Sequence, residues 1–380
     1  VPLVVLLGCL PAGEAFDPRA AVPTTQAPAI SVAEPEPAEA PAPSAEAPPA
    51  PPDDPAAVVV VLDGTRWQDI FLGADPLLSA AAHVDPPSAA ALTPHLHALL
   101  EERGAAVGAP EHGPPMTASG PNFVSLPGYT EIFGGHRRHP CGDNDCPKTR
   151  TRTVFDEVRE RGQPGDVAVF SSWERIARAA TVDEAGVVLS CGRSRLSNEP
   201  LLREDAATSG WLEEGRGAAA FPGKGDFRPD RFTAGLALRY LESKRPRLLF
   251  LGLGEPDEYA HRGDYAGYLD SLRFADAVIG RLFEVLDRMG SRGERTTVFV
   301  TADHGRARDW RFHGRRFPES SRVWLVAAGA GIAARGLVPS SEPHHLADLA
   351  PTLRVLLALP ADTAPAAGTT LDELFVKEDG

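Results

Sequence analysis

Six side chains in this sequence have the types and spacing of metal ligands, and one serine is placed to work beside them. Asp63 closes the apolar run VVVVL, Asp257 follows LLFLGLGEP, and Asp303 follows TVFVTA with His304 directly after it. His261 lies four residues beyond Asp257, and His313 stands in the tripeptide FHG. A single acid at a strand end is commonly a turn or helix cap. Three Asp and three His together give two sets of three, each with positions left open for substrate or water, and both residue types suit zinc. Two ions close together can hold the attacking and leaving oxygens of an in-line displacement at phosphorus.

Ser125 opens the stretch SLPGY, where an extended segment runs into a helix that ends at Gly134 and Gly135. A serine at a helix N-cap is usually only a cap, its hydroxyl accepting a backbone N–H. Beside a metal it becomes a nucleophile, and the free N–H groups of the helix sit ready for phosphoryl oxygens. The convergence of two ligand sets favours the nucleophile.

These groups need a scaffold that gathers strand ends. AAVVVVLDG is a continuous apolar, β-branched run, as in a strand buried on both faces of a parallel sheet. In TPHLHALLEERG, Thr93 and Pro94 mark a helix start and Gly104 its end. Strands DVAVF, RLLFLGL, TTVFVTAD and RVWLVAAG then alternate with helices TVFDEVRERG, FTAGLALRYLESK, DYAGYLDSLRFADAVIGRLFEVLDRMG and HLADLAPTLRVLLAL. The alternation predicts an α/β fold: a single domain over residues 56–380 with a mostly parallel central sheet and helices on both faces. In such sheets functional groups collect at the carboxyl ends of the strands. The poorly patterned stretch Arg175–Arg231 reads as a loop-rich insertion where specificity resides.

With 380 residues and 43% hydrophobic content the chain can bury a full core, and its net charge of −14 argues against a nucleic-acid duplex as partner. Basic residues are almost all arginine, with lysine only at Lys148, Lys224, Lys244 and Lys377, a bias that composition alone accounts for. Residues 1–16, with VPLVVLLGC, have the pattern of a lipoprotein signal-peptide remnant whose Cys9 is lipidated. An ordinary secretory signal is the alternative, and the run is too short to span a bilayer. Residues 17–55, rich in Pro, Ala and Glu, read as a disordered tether. The expected location is therefore the bacterial cell envelope, with a membrane contact through Cys9. Export permits disulfides, and Cys141 and Cys146 in CGDNDC are spaced to close a short loop, leaving Cys191 single.

The same residues carry a resemblance to the alkaline phosphatase superfamily, especially its nucleotide pyrophosphatase/phosphodiesterase-like branch. VVVVLDGTRWQ resembles the family's strand and metal-binding Asp, and SLPGYTEIFGG its nucleophile segment. EPDEYAH is similar to its Asp-x-x-x-His pair, TADHG to its Asp-His pair, and FHG to its final histidine. The resemblance implies an alkaline phosphatase-like fold and a phosphoric ester hydrolase acting on a small-molecule phosphoester with two divalent metal ions, usually zinc. Asp63, Asp303, His304 and Ser125 would surround one ion, and Asp257, His261 and His313 would hold the other. It also implies an asparagine that contacts a phosphoryl oxygen, for which Asn144 is the nearest candidate; an Asn-Asp turn clasped by a disulfide reads the same way. His344 and His345 compete with His313 for the last ligand place.

Gly128 and Tyr129 stand where the diesterase branch has Asn-His, which leaves monoester and diester chemistry both open. With no lysine cluster to clamp a polyphosphate, simple esters are expected over nucleotide pyrophosphates. Sulfatases share the fold, but their motif requires arginine at the position of Tyr129, and their calcium sites are richer in oxygen ligands. A phosphoglycerate mutase-like enzyme and a non-catalytic surface binding protein are the remaining alternatives.

Overall fold

The structure, a computed structural model, describes residues 54–203 and 205–376; the signal-peptide and lipidation readings, and nearly all of the tether, lie outside them. Strand β1 (Ala56–Leu62) is fully buried, and its residues divide between two cores: Val59 and Val61 face one, Val58, Val60 and Leu62 the other. That division is why the run is apolar throughout and does not alternate.

The other strands are β2 (Gly104–Val107), β3 (Val167–Ser171), β4 (Val187–Cys191), β5 (Arg195–Ser197), β6 (Leu248–Leu253), β7 (Thr296–Thr301), β8 (Leu325–Gly329) and β9 (Gly336–Leu337). They form one sheet in the order β9-β2-β8-β7-β1-β6-β3-β4-β5. The central run from β7 to β4 is parallel, while β8 is antiparallel to both neighbours and β5 is antiparallel to β4. The predicted strand RVWLVAAG is divided, Arg322–Val323 pairing in a separate small sheet and Leu325–Gly329 joining the main one.

Helix α1 (Pro94–Glu102) covers one face of the sheet, and helix α2 (Ser125–Gly134) the other. Thr93 precedes α1 but does not cap it with its side chain; its hydroxyl donates to Ala89 O. Phe133 of α2 meets Phe155 and Phe250 edge to face, each at 4.8 Å, which fixes the helix on the sheet. The stretch Arg175–Arg231 is not loop-rich. It contains β4, β5 and helix α3 (Ala206–Gly217), because VVLSC is a short buried strand with no flanking periodicity to announce it. Helices α4 (Asp230–Lys244), α5 (Glu255–Arg262) and α6 (Tyr265–Arg288) follow, with α4 and α6 packing on the α1 face. No helix among the described residues is long and apolar enough to cross a membrane.

Candidate metal centre

Neighbouring strands β7, β1 and β6 end side by side, and their carboxyl ends deliver the three acids. The Asp63 N–H donates to Leu253 O (2.9 Å), which ties the ends of β1 and β6 together. Asp257 sits in the first turn of α5, four residues before His261 at the same helix's end. Gly64 turns the chain away at φ +59° and donates its N–H to Asp303 Oδ1 (3.0 Å). A Cβ there would lie 2.6 Å from Asp257 Oδ1, so this turn requires glycine both for its backbone angle and for the closeness of the carboxylates.

Two ligand groups result. Asp63, Asp303 and His304 offer donor atoms that all lie within 4.8 Å of one another, and so do Asp257, His304 and His313. His304 lies within reach of both groups, but with Nδ1 bonded to Gly305 O its one free lone pair, on Nε2, can serve one ion only. Its Nε2 is 3.5 Å from Asp63 Oδ1 and 3.9 Å from Asp257 Oδ1. His261 joins from the exposed side, its Nε2 3.1 Å from Asp257 Oδ2 and 3.0 Å from His313 Nε2. The rings of His304 and His313 stack at 3.9 Å. His344 and His345 belong elsewhere: His344 contacts Ser340 and Glu373, and His345 sits at the start of a short helical turn with Asp348.

The donor set fits divalent cations. Nδ1 of His304 bonds Gly305 O and Nδ1 of His313 bonds Phe123 O, both at 2.9 Å, which turns each Nε2 lone pair toward the cluster. Asp303 Oδ2 is buried with no hydrogen-bond partner. Burial, with the like charges of Asp303 and Asp257, pushes Asp63 well above the ordinary carboxylate range, and burial raises Asp303 to about 7. Burial would raise Asp257 too, but the Arg306 guanidinium and His261 outweigh it and hold it well below the usual range. Burial lowers His304 to about 4, and burial with the adjacent His304 lowers His313, so both rings are neutral as ligation requires. Three carboxylates against a single buried guanidinium is an imbalance that a bound cation relieves.

Ser125 is the first residue of α2 and 5% exposed. Its hydroxyl donates to Asp63 Oδ1 (3.3 Å) and lies 3.4 Å from His304 Nε2, within the first ligand group. The helix start offers fewer free donors than expected. Leu126 N–H is taken by Asn144 Oδ1 (2.9 Å), residue 127 is proline, and Gly128 N–H bonds Val124 O, which leaves the Ser125 N–H. Asn144 thus contacts the first turn of α2, and with Oδ1 committed its amide nitrogen is the end available to donate. The loop carrying it is closed by a Cys141–Cys146 disulfide and braced by Arg175, whose Nη1 donates to Asn144 O (2.6 Å). Cys191 is free and buried.

Three contributors escape sequence reasoning. Tyr129 is buried, and its phenol donates to Asp63 Oδ2 (3.0 Å), orienting that ligand. Gly128 lets α2 press on the metal loop, since a Cβ there would lie 2.3 Å from Asp303 O. Arg306 is buried, donates to Gly64 O (2.9 Å), and pairs with the Asp257 carboxylate. Its position directly after Asp-His-Gly was the available signal.

Residues 232–360 match the model of the metalloenzyme superfamily, a span that holds Asp257, His261, Asp303, His304 and His313 but not Asp63 or Ser125. GPI ethanolamine phosphate transferase 1 of Yarrowia lipolytica is 34% identical over 74 residues, 20% of this chain and 8% of that protein. 2,3-Bisphosphoglycerate-independent phosphoglycerate mutase 2 of Methanosarcina acetivorans is 28% identical over 127 residues, 32% of this chain and 22% of that protein. The chain thus spans less than a quarter of either relative. Among solved structures, wild-type alkaline phosphatase PafA superposes with a TM-score of 0.59 at 12% identity, covering 85% of this chain and 99% of that one. The phosphonate monoester hydrolase of Agrobacterium radiobacter gives 0.53 at 17% identity, covering 86% and 78%. Sulfatases share the same fold.

Proposed function

From its place in the alkaline phosphatase-like metalloenzyme superfamily, we propose that this chain is a metal-dependent phosphoric ester hydrolase with Ser125 as nucleophile. The observation that carries this reading is the placement of the Ser125 hydroxyl, 3.3 Å from Asp63 and 3.4 Å from His304, at a helix start inside the ligand cluster.

Asp63, Asp303 and His304 would hold one divalent cation, and Asp257, His261 and His313 supply the donors for a second, with zinc as the proposed metal. When bound, such ions offset phosphoryl charge and lower the pKa of a coordinated hydroxyl or water. Ser125 Oγ attacks phosphorus and the ester oxygen departs, leaving a phosphoseryl enzyme; water then displaces the serine and releases phosphate. The Ser125 N–H and the Asn144 amide nitrogen are the donors for phosphoryl oxygens. Tyr129 holds Asp63 in place, and Arg306 fixes Asp257.

Where sulfatases need arginine, Tyr129 is a buried phenol bonded to a ligand, which supports phosphoester over sulfate-ester chemistry. The Cys141–Cys146 disulfide supports an exported enzyme. On this proposal it is tethered at the cell envelope through lipidated Cys9, testable by incorporation of labelled fatty acid into the parent chain and its loss in Cys9→Ala. The activity is tested by rates on aryl phosphate monoesters, diesters and sulfate esters, with Ser125→Ala alongside. The proposal expects phosphate-ester turnover that collapses in Ser125→Ala while metal content persists. Dominant sulfate-ester turnover, or an active Ser125→Ala, would overturn it.

A further inference from the structure

The loop that carries His313 holds Arg308, Arg311, Arg315 and Arg316 within nine residues, and all four are exposed. Among the described residues none of their side chains comes within ion-pair distance of a carboxylate, although the chain carries 52 acids and a net charge of −14. The loop's own acids are turned to other work: Asp309 Oδ1 accepts Phe312 N–H and Glu319 Oε1 accepts Arg308 N–H, both at 3.3 Å.

The loop is held in place. Ala307 N–H bonds Phe312 O (2.8 Å), Gly314 N–H bonds Ser320 Oγ (3.1 Å), and Arg315 N–H bonds Asn122 Oδ1 (3.0 Å). Trp310 anchors it edge to face on Tyr265 at 4.9 Å. Two of the arginines adjoin the site. Arg311 and Arg315 each lie two residues from His313, and the Arg311 side chain packs against Gly263, two residues beyond His261. Beside them Phe312 is 49% exposed and stacks on Phe317, offering an apolar surface at the same rim. A fixed loop that gathers four guanidinium groups against two carboxylates, neither paired with them, keeps an excess of positive charge that an anion would relieve, and guanidinium groups match phosphate and carboxylate oxygens in geometry.

We propose that this arginine lip binds a second anionic group of the substrate, a phosphate or carboxylate beyond the phosphoryl group being transferred. The inference rests on the proposed phosphoester hydrolysis and narrows the substrate class from simple esters to esters bearing a further negative charge. That charge can belong to the soluble substrate itself or to an anionic lipid headgroup at a membrane surface.

The experiment compares the parent with Arg311→Gln/Arg315→Gln, both checked for metal content and melting temperature. Rates are measured on fructose 6-phosphate and fructose 1,6-bisphosphate, and binding to phosphatidylcholine vesicles with and without phosphatidylglycerol. The inference expects the ratio of kcat/KM for bisphosphate over monophosphate to fall about tenfold in the variant, with a salt-sensitive preference in the parent. Loss of phosphatidylglycerol-dependent vesicle binding with no change in that ratio would assign the second anion to a lipid headgroup. An unchanged ratio together with unchanged vesicle binding would overturn the lip. A parent that hydrolyses neither sugar phosphate nor any aryl phosphate would instead count against the underlying activity.

Discussion

Replacing Gly128 with alanine should cripple the reaction and leave the fold standing. The new Cβ would sit 2.3 Å from Asp303 O, whereas real Cβ contacts essentially never fall below 3.0 Å, so the first turn of α2 must retreat from the metal loop. The retreat is at least about 0.7 Å, and Ser125, three residues earlier on that turn, moves with it; misplacement of about 1 Å in a reacting group costs on the order of 100-fold. The strain costs about 1–3 kcal/mol, which a domain of this size tolerates. Gly134→Ala is the internal control, because on the same helix its Cβ would meet only His136 Nδ1 at 3.6 Å. Gly134 is the last residue of α2 and has no positive φ, so that variant should gain roughly 0.4–1 kcal/mol by restricting the unfolded chain. The assay is kcat and KM on an aryl phosphate, with melting temperature and bound metal measured on each variant. A Gly128→Ala enzyme with parental kcat, or a Gly134→Ala enzyme equally impaired, would refute the close approach of α2 to Asp303 as a requirement for catalysis.

Tyr129→Phe removes the donor to Asp63 Oδ2 and leaves the ring in place; it should lower metal affinity and cost about 1.5–3 kcal/mol, the range for a hydrogen bond to a charged group, seen by metal titration and thermal melting. Asp303→Asn removes one ligand charge, and elemental analysis should show a loss of bound metal together with activity. Glu131 is buried on α2, and burial raises its carboxyl to about 7 although Ser119 and Ala347 donate to it. The raised folded value favours the protonated form, so its contribution is fully present below the unfolded carboxylate range and is lost as pH rises through about 7, worth up to about 3 kcal/mol. The melting temperature of the parent should accordingly fall more steeply from mildly acidic to mildly alkaline pH than that of Glu131→Gln; parallel curves would contradict this.

Asp63, Asp257 and Asp303 can be read from sequence because each follows an apolar run buried on both faces, and a parallel sheet brings the ends of such runs together. Ser125 can be read because a helix start follows an extended segment. The closeness of His304 to both groups cannot be read, because it depends on how β1 and α5 set Asp63 and Asp257 around one ring. In sequence Tyr129 shows only as a departure from related motifs and Arg306 only as the residue after Asp-His-Gly, because their roles arise when α2 and the loop after β7 close on the ligands. The region from 175 to 231 misleads for the opposite reason: β4 and β5 are too short to show a period, and sheet pairing, β4 with β3 and β5 with β4, defines them.

The most direct test of the account is to quench the enzyme in acid during turnover of an aryl phosphate and to map covalent phosphate by mass spectrometry of the peptide containing Ser125. The account predicts one phosphoryl group on Ser125, formed within the first turnover and absent from Ser125→Ala. Full turnover with no covalent phosphate on the chain, joined by inversion of configuration at a chiral phosphorus, would show that water attacks the substrate directly and would contradict it.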